Sequence, residues 1–332
     1  MVSILSEFLI YSIFFYCKLF LIESFTLNFY YTFIYTNVVT LERKDFIKTL
    51  VGGIAMTALQ PLYSWSKELK VQDIKLPALF VGHGSPMNAI EDNEFSQTWA
   101  KFGREIPKPK AVLVISAHWL TNGTFVTAME NPRTIHDFGG FPQELFKVQY
   151  PAKGSPELAT ETAKLIATTN VGLDHEWGLD HGTWSIVKHM YPNADIPVLQ
   201  LSIDYSKPAQ YHFDLAQQLK SLRSKGVLLI GSGNMVHNLR MVAWDKLQEP
   251  EYGFDWAVEM NAIFKEKIGN RDIQSLIAYE KLGTAAKLAI PTPDHYYPLI
   301  YSLALQDNQD EISFFNDKLV GGSLNMTSVK FG

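Results

Sequence analysis

The sequence predicts a single α/β domain over residues 76–332, with a central mixed, largely parallel β-sheet flanked by helices on both faces. Three observations lead there. Short apolar runs recur from Leu76 onward, each ending in a Gly-, Ser- or His-bearing turn or a polar break. Longer segments with helical spacing lie between them. No internal repeat, low-complexity tract or linker interrupts the stretch. Strands that alternate with helices favour a sheet covered on both sides.

The elements follow in chain order. Pro77–Val81, Ala111–Ser116, Pro197–Ile203 and Val227–Ile230 are short, apolar and bounded by turn formers, the pattern of buried strands. Pro156–Ala167, Pro208–Lys225 and Trp256–Ile268 carry helical spacing. Residues 240–290 read as helical and loop-rich, without a periodicity that fixes boundaries. Ser313–Gly332 supplies a final strand or two.

Composition narrows the function. The chain has 332 residues, 47% hydrophobic and 19% charged, with a formal net charge of −5. It carries no basic stripe, which argues against a nucleic-acid partner. The only cysteine is Cys17, so from residue 41 onward any metal must rest on His, Asp or Glu.

Residues 1–40 differ from all that follows. They lack Gly, Ala, Pro, Asp and Arg and are crowded with Phe and Tyr. Two readings stand, a membrane anchor and a start-site artefact that would make Leu41 the start. Lys18 and Glu23 break the apolar run, so no stable membrane span is expected in the mature form. Residues 41–75 form a signal-like segment and linker. Arg43, Lys44 and Lys48 precede the small apolar run Thr49–Leu59, as in an export signal, and an ordinary amphipathic helix is the other reading. Both a cytoplasmic and a periplasmic location follow from these alternatives.

Histidine placement is the most informative feature. His83, His118 and His237 each sit at or just past the C-terminal end of an apolar run. In open α/β sheets that edge binds ligands. Adjacent strand ends can gather imidazoles that are distant in sequence, and three or four of them suit zinc or ferrous iron. By spacing alone, a metal site and hydrogen-bonded turn histidines remain equal readings. His295 lies between stiffening prolines, while His181 and His136 are loop histidines with acidic neighbours, a setting for acid/base work. His175, His189 and His212 read as surface or packing residues.

Six strings together carry a resemblance: Gly-His-Gly-Ser-Pro (82–86), Ser-Ala-His-Trp (116–119), His-Asp-Phe-Gly-Gly-Phe-Pro (136–142), Asp-His-Gly-Thr-Trp (180–184), Gly-Ser-Gly-Asn-Met-Val-His-Asn (231–238) and Pro-Thr-Pro-Asp-His-Tyr (291–296). From Leu76 to Gly332 the chain resembles the 4,5-DOPA extradiol dioxygenase family, within the class III extradiol ring-cleavage superfamily. The resemblance implies a metal-dependent dioxygenase that opens a catechol-type ring with O2 as co-substrate. It implies His83, His118, His237 and His295 at the metal and His181 as the acid/base residue. His136 and Tyr296 are the candidate substrate contacts, with Trp119, Phe138 and Phe141 as further aromatic walls. Asp137 and Asp180 are candidates to orient imidazoles.

Many relatives use two histidines and a carboxylate. A third histidine here leaves the cofactor as Zn2+ or Fe2+, with Fe2+ required for the redox chemistry. Other readings on the same fold are a zinc-bound non-redox or hydrolytic enzyme and a non-catalytic interaction protein. A monomer or small homo-oligomer is expected.

Overall fold

The computed structural model describes residues 75–249 and 251–332. The segments 1–40 and 41–74, with their anchor, start-site and export readings, lie outside the described residues. No described helix is long and apolar enough to cross a membrane.

Among the described residues ten strands form: β1 (Ala78–Gly82), β2 (Ala111–Thr121), β3 (Thr124–Thr127), β4 (Val171–Asp174), β5 (Val198–Asp204), β6 (Val227–Gly233), β7 (Ile312–Phe315), β8 (Leu319–Val320), β9 (Leu324–Asn325) and β10 (Ser328–Phe331). Eight of them make one sheet in the order β4-β3-β5-β2-β6-β1-β10-β7. The central four, β5-β2-β6-β1, are mutually parallel. Antiparallel pairing enters at β3 on one side and at β10 on the other. The expected mixed, largely parallel sheet is therefore present.

The longer helices are α1 (Glu94–Glu105), α2 (Pro156–Leu165), α3 (His181–Met190), α4 (Ala209–Gln217), α5 (Asp255–Gly269) and α6 (Tyr297–Leu305). They divide between the two faces because side chains alternate along a strand. Phe80, Leu113, Leu201 and Leu229 point into one layer, with α4, α5 and α6. Leu79, Val112, Val114, Leu228 and Ile230 point into the other, with Trp99 of α1 and Trp184 of α3. Strands buried on both faces read as unbroken apolar runs, which is what the sequence displays.

On the α3 face the apolar inventory stops near the strand ends. Val114 is followed in register by Ser116, Val198 by Gln200, and Ile230 by Ser232, all fully buried. These polar side chains lie beneath the start of α3. Asp180 caps that helix by accepting from the Thr183 N–H, and its carboxylate also accepts from Ser116 Oγ (2.7 Å) and Gln200 Nε2 (2.6 Å).

Two local expectations are corrected. β2 runs past Ser116 to Thr121, so His118 lies within the strand, in a stretch where the register with β5 shifts. The predicted helix Pro208–Lys225 is two pieces, α4 and a short one-turn helix at Ser221–Ser224.

Candidate metal centre

Five imidazoles meet at the C-terminal edge of the parallel strands. His83 follows β1, His118 sits in the irregular part of β2, and His181 opens α3. His237 lies beyond β6, and His295 precedes α6. Ring centroids are 5.0 Å apart for His83 and His118, 3.9 Å for His118 and His181, and 5.3 Å for His83 and His295. His237 stacks on His295 at 3.6 Å with nearly parallel rings. Ligand atoms of His83, His118 and His181 lie within 4.8 Å of one another, as do those of His237, Asp294 and His295. All four histidines expected at the metal are thus in one array, and so is His181.

Glycines permit this crowding. A Cβ on Gly182 would lie 2.5 Å from Ser116 Oγ and 3.0 Å from His118 Cδ2. A Cβ on Gly233 would lie 2.2 Å from the His295 carbonyl oxygen, the same oxygen that accepts from the Asn234 N–H.

Two of these donors stand at a spacing that fits one divalent cation. Nε2 of His83 and Nε2 of His118 are 3.1 Å apart. Two imidazole nitrogens on one ion at ~2.0–2.1 Å, subtending about 90–110°, would be separated by roughly 2.9–3.4 Å. Burial, followed by repulsion from His295, His181 and His237, holds the His83 imidazole well below its usual range. His118 is lowered in the same way, by burial first and then by the neighbouring rings. His237 is pulled down to about 3 by burial and by His295. Neutral imidazoles are the form a metal requires.

Carboxylates orient the rings. Asp137 Oδ2 is 2.9 Å from His181 Nδ1 and 3.4 Å from His118 Nδ1, and Asp137 Oδ1 accepts from the His181 backbone N–H at 2.9 Å. Burial would raise the Asp137 carboxyl, but the hydrogen bonds and the attraction of His181 outweigh it and keep the group below the usual range. Asp294 Oδ2 is hydrogen-bonded to His295 Nδ1. Asp180, expected to orient an imidazole, instead spends its oxygens on Ser116, Gln200 and the helix N-terminus. Burial, then repulsion from Asp137, raises its carboxyl.

The remaining candidates divide. Phe138 meets His181 edge-on at 5.5 Å and packs on Phe141 at 5.4 Å, so both lie beside the array. His136 stands among Phe138, Phe146 and Trp184, with Nε2 3.0 Å from the Val148 carbonyl oxygen. Tyr296, expected at the substrate, turns into the core. It packs on Phe264 and Tyr279 and donates its hydroxyl to the Leu276 carbonyl. Tyr296 closes the Pro-Thr-Pro-Asp-His-Tyr string next to His295 in sequence, while its ring lies in the core. Trp119 is buried against Trp177. Sequence reasoning gave no role to Ser232, whose parity with Leu228 and Ile230 was the available signal.

Fold and site together define an α/β metalloprotein with a histidine-lined mononuclear centre. A family model described as the catalytic LigB subunit of aromatic ring-opening dioxygenase matches residues 77–320. The chain belongs to this LigB/4,5-DOPA extradiol dioxygenase family. It is 47% identical over 272 residues to a 4,5-DOPA dioxygenase extradiol of Escherichia coli (strain K12), covering 80% of this chain and 98% of that protein. It is 36% identical over 260 residues to a 4,5-DOPA dioxygenase extradiol of Beta vulgaris, covering 76% and 95%. A crystal structure of an uncharacterized protein from Escherichia coli K12 superposes with a TM-score of 0.67 at 44% identity, covering 78% of this chain and all of that one. The chain is accordingly a metal-dependent ring-cleavage dioxygenase for a catechol-type substrate and O2, with a mononuclear Fe2+ or Zn2+ site.

Proposed function

We propose that the substrate is a catechol of the DOPA kind, opened beside its diol, with Fe2+ as the working metal. We assign His83, His118, His237 and His295 to the metal and His181 to acid/base work. The observation that carries this is the pair of Nε2 atoms 3.1 Å apart, with a carboxylate-held imidazole next to them.

When bound, ferrous iron supplies a path for electrons between catechol and dioxygen, which zinc cannot offer. The chain's own residues do the rest. Asp137 accepts from His181 Nδ1–H, so the Nε2 of His181 carries the free lone pair. That atom takes a proton from a catechol hydroxyl and returns one on ring opening. Phe138, edge-on to His181, offers an apolar wall to the aromatic ring. His136 Nε2 is committed to the Val148 carbonyl, which leaves its ring edge for substrate contact.

Oxygen uptake and a yellow ring-opened product from DOPA, with protein reconstituted anaerobically with ferrous iron, test the reading. Absence of both with DOPA, catechol and protocatechuate would instead favour the non-redox zinc or interaction-protein alternatives. One observation favours a different ligand set: the His181 ligand atom lies close to those of His83 and His118. His83→Ala and His118→Ala should lose bound metal, and His181→Ala should keep it while losing turnover. Loss of metal from His181→Ala would make that residue the third ligand.

A further inference from the structure

We infer that Ser232 is a positioning residue that fixes the tautomer of His83, so that Nε2 is presented to the metal before any metal binds. The inference rests on the reading of His83 as a ligand. Ser232 Oγ lies 2.5 Å from the Gly182 carbonyl oxygen and 3.0 Å from His83 Nδ1, and the residue is fully buried. A carbonyl oxygen only accepts, so the single hydroxyl proton of Ser232 is directed to Gly182. The hydroxyl oxygen can then only accept from the imidazole, which places the neutral ring's proton on Nδ1. The lone pair is left on Nε2, the atom 3.1 Å from His118 Nε2.

The same hydroxyl joins three elements. It leaves β6 two residues past Ile230, reaches the ring after β1, and ends on the second residue of α3. The backbone reinforces the arrangement, since His83 N–H donates to the Gly233 carbonyl at 3.2 Å. Two of the other rings are held at Nδ1 by carboxylates, His181 by Asp137 and His295 by Asp294, and the same Asp137 oxygen lies 3.4 Å from Nδ1 of His118. His83 alone among these four is held by a neutral hydroxyl. Its tautomer is therefore set without adding negative charge to the site.

The test uses the full chain stripped of metal. Side-chain nitrogen NMR, with His83 assigned by comparison with His83→Gln, should report the Nδ1–H form in the wild type. Ser232→Ala should yield a mixture of tautomers. Its zinc dissociation constant, measured against a chromophoric chelator, should weaken by about 10- to 100-fold. A merely structural serine would leave the tautomer ratio unchanged. A wild-type His83 found as the Nε2–H form overturns the inference even if the variant does not fold. Wild-type affinity and tautomer in Ser232→Ala overturn it as well. Zinc affinity unaltered by His83→Ala would overturn the ligand reading instead.

Discussion

At the scale of the residue, the site depends on which nitrogen of each imidazole carries its proton. Asp137 touches His181 twice, at the ring and at the backbone, and reaches towards His118 with the same oxygen. Asp137→Asn keeps the shape but replaces an acceptor-only group with one that can donate. The free lone pair on His181 Nε2 is then no longer enforced. The expected outcome is a fall in kcat of about 10- to 100-fold at unchanged fold, read by steady-state kinetics on iron-loaded protein normalised to metal content. A comparable loss through KM alone would move Asp137 from proton placement to substrate binding.

At the scale of the element, the first turn of α3 lies against the ends of β2 and β6. Gly182 is the contact point, and an added methyl would meet Ser116 and the His118 ring. Gly182→Ala should cost about 1–3 kcal/mol in chemical denaturation and weaken zinc binding, because the helix must withdraw from His118. Retained stability and affinity would mean that the helix start can move freely.

The elements also show what a sequence can and cannot reveal. β1, β5 and β6 were legible because strands buried on both faces leave continuous apolar runs. α1 and α6 leave no pattern strong enough to assign, and the Asp-His-Gly-Thr-Trp string reads as loop although His181 opens α3. Its cap, Asp180, serves a helix whose N-terminal turn is rich in polar and small residues, so apolar periodicity starts late. The histidines' convergence was legible from strand-end placement joined to motif strings. The sharing of Asp137 between two rings was not, since it needs a loop to cross from residue 137 to the strand ends. Tyr296 misled for a related reason: a motif places a residue next to a site without fixing where its side chain points.

At the scale of the whole molecule, acid should unfold the metal-free protein through buried neutral imidazoles. His212, buried on α4 with Nδ1 2.9 Å from the Tyr301 hydroxyl, is lowered by burial to about 4 from an ordinary 6.5. Between those values the unfolded chain binds a proton that the native chain does not. Stability from this group is therefore complete above pH 6.5 and declines as pH falls towards 4, by on the order of 3 kcal/mol. The midpoint of thermal unfolding of metal-free protein should fall across that window, and His212→Gln should flatten the slope if the variant folds. A midpoint independent of pH between 4 and 6.5 would count against it.

At the other end of the sheet, Arg223 is fully buried and binds Asp310, the carbonyls of Leu76 and Leu305, and the carbonyl of Phe331. Burial would raise Asp310, but Arg223 and Lys75 bring it down to about 2. Removing the carboxylate strands a buried guanidinium. Asp310→Ala should lose about 3 kcal/mol in denaturant titration without changing the metal content of the folded fraction.

That clamp also fixes where the polypeptide enters and leaves the described fold. Ala78 is paired with Phe331, and Gly332 lies against Pro77, so entry and exit are neighbours at the opposite end of β1 from His83. A fluorescent protein or an immobilisation tether attached after Gly332 would emerge on the side facing away from the imidazoles. Surface-bound enzyme built this way would be held by the sheet end opposite the imidazoles.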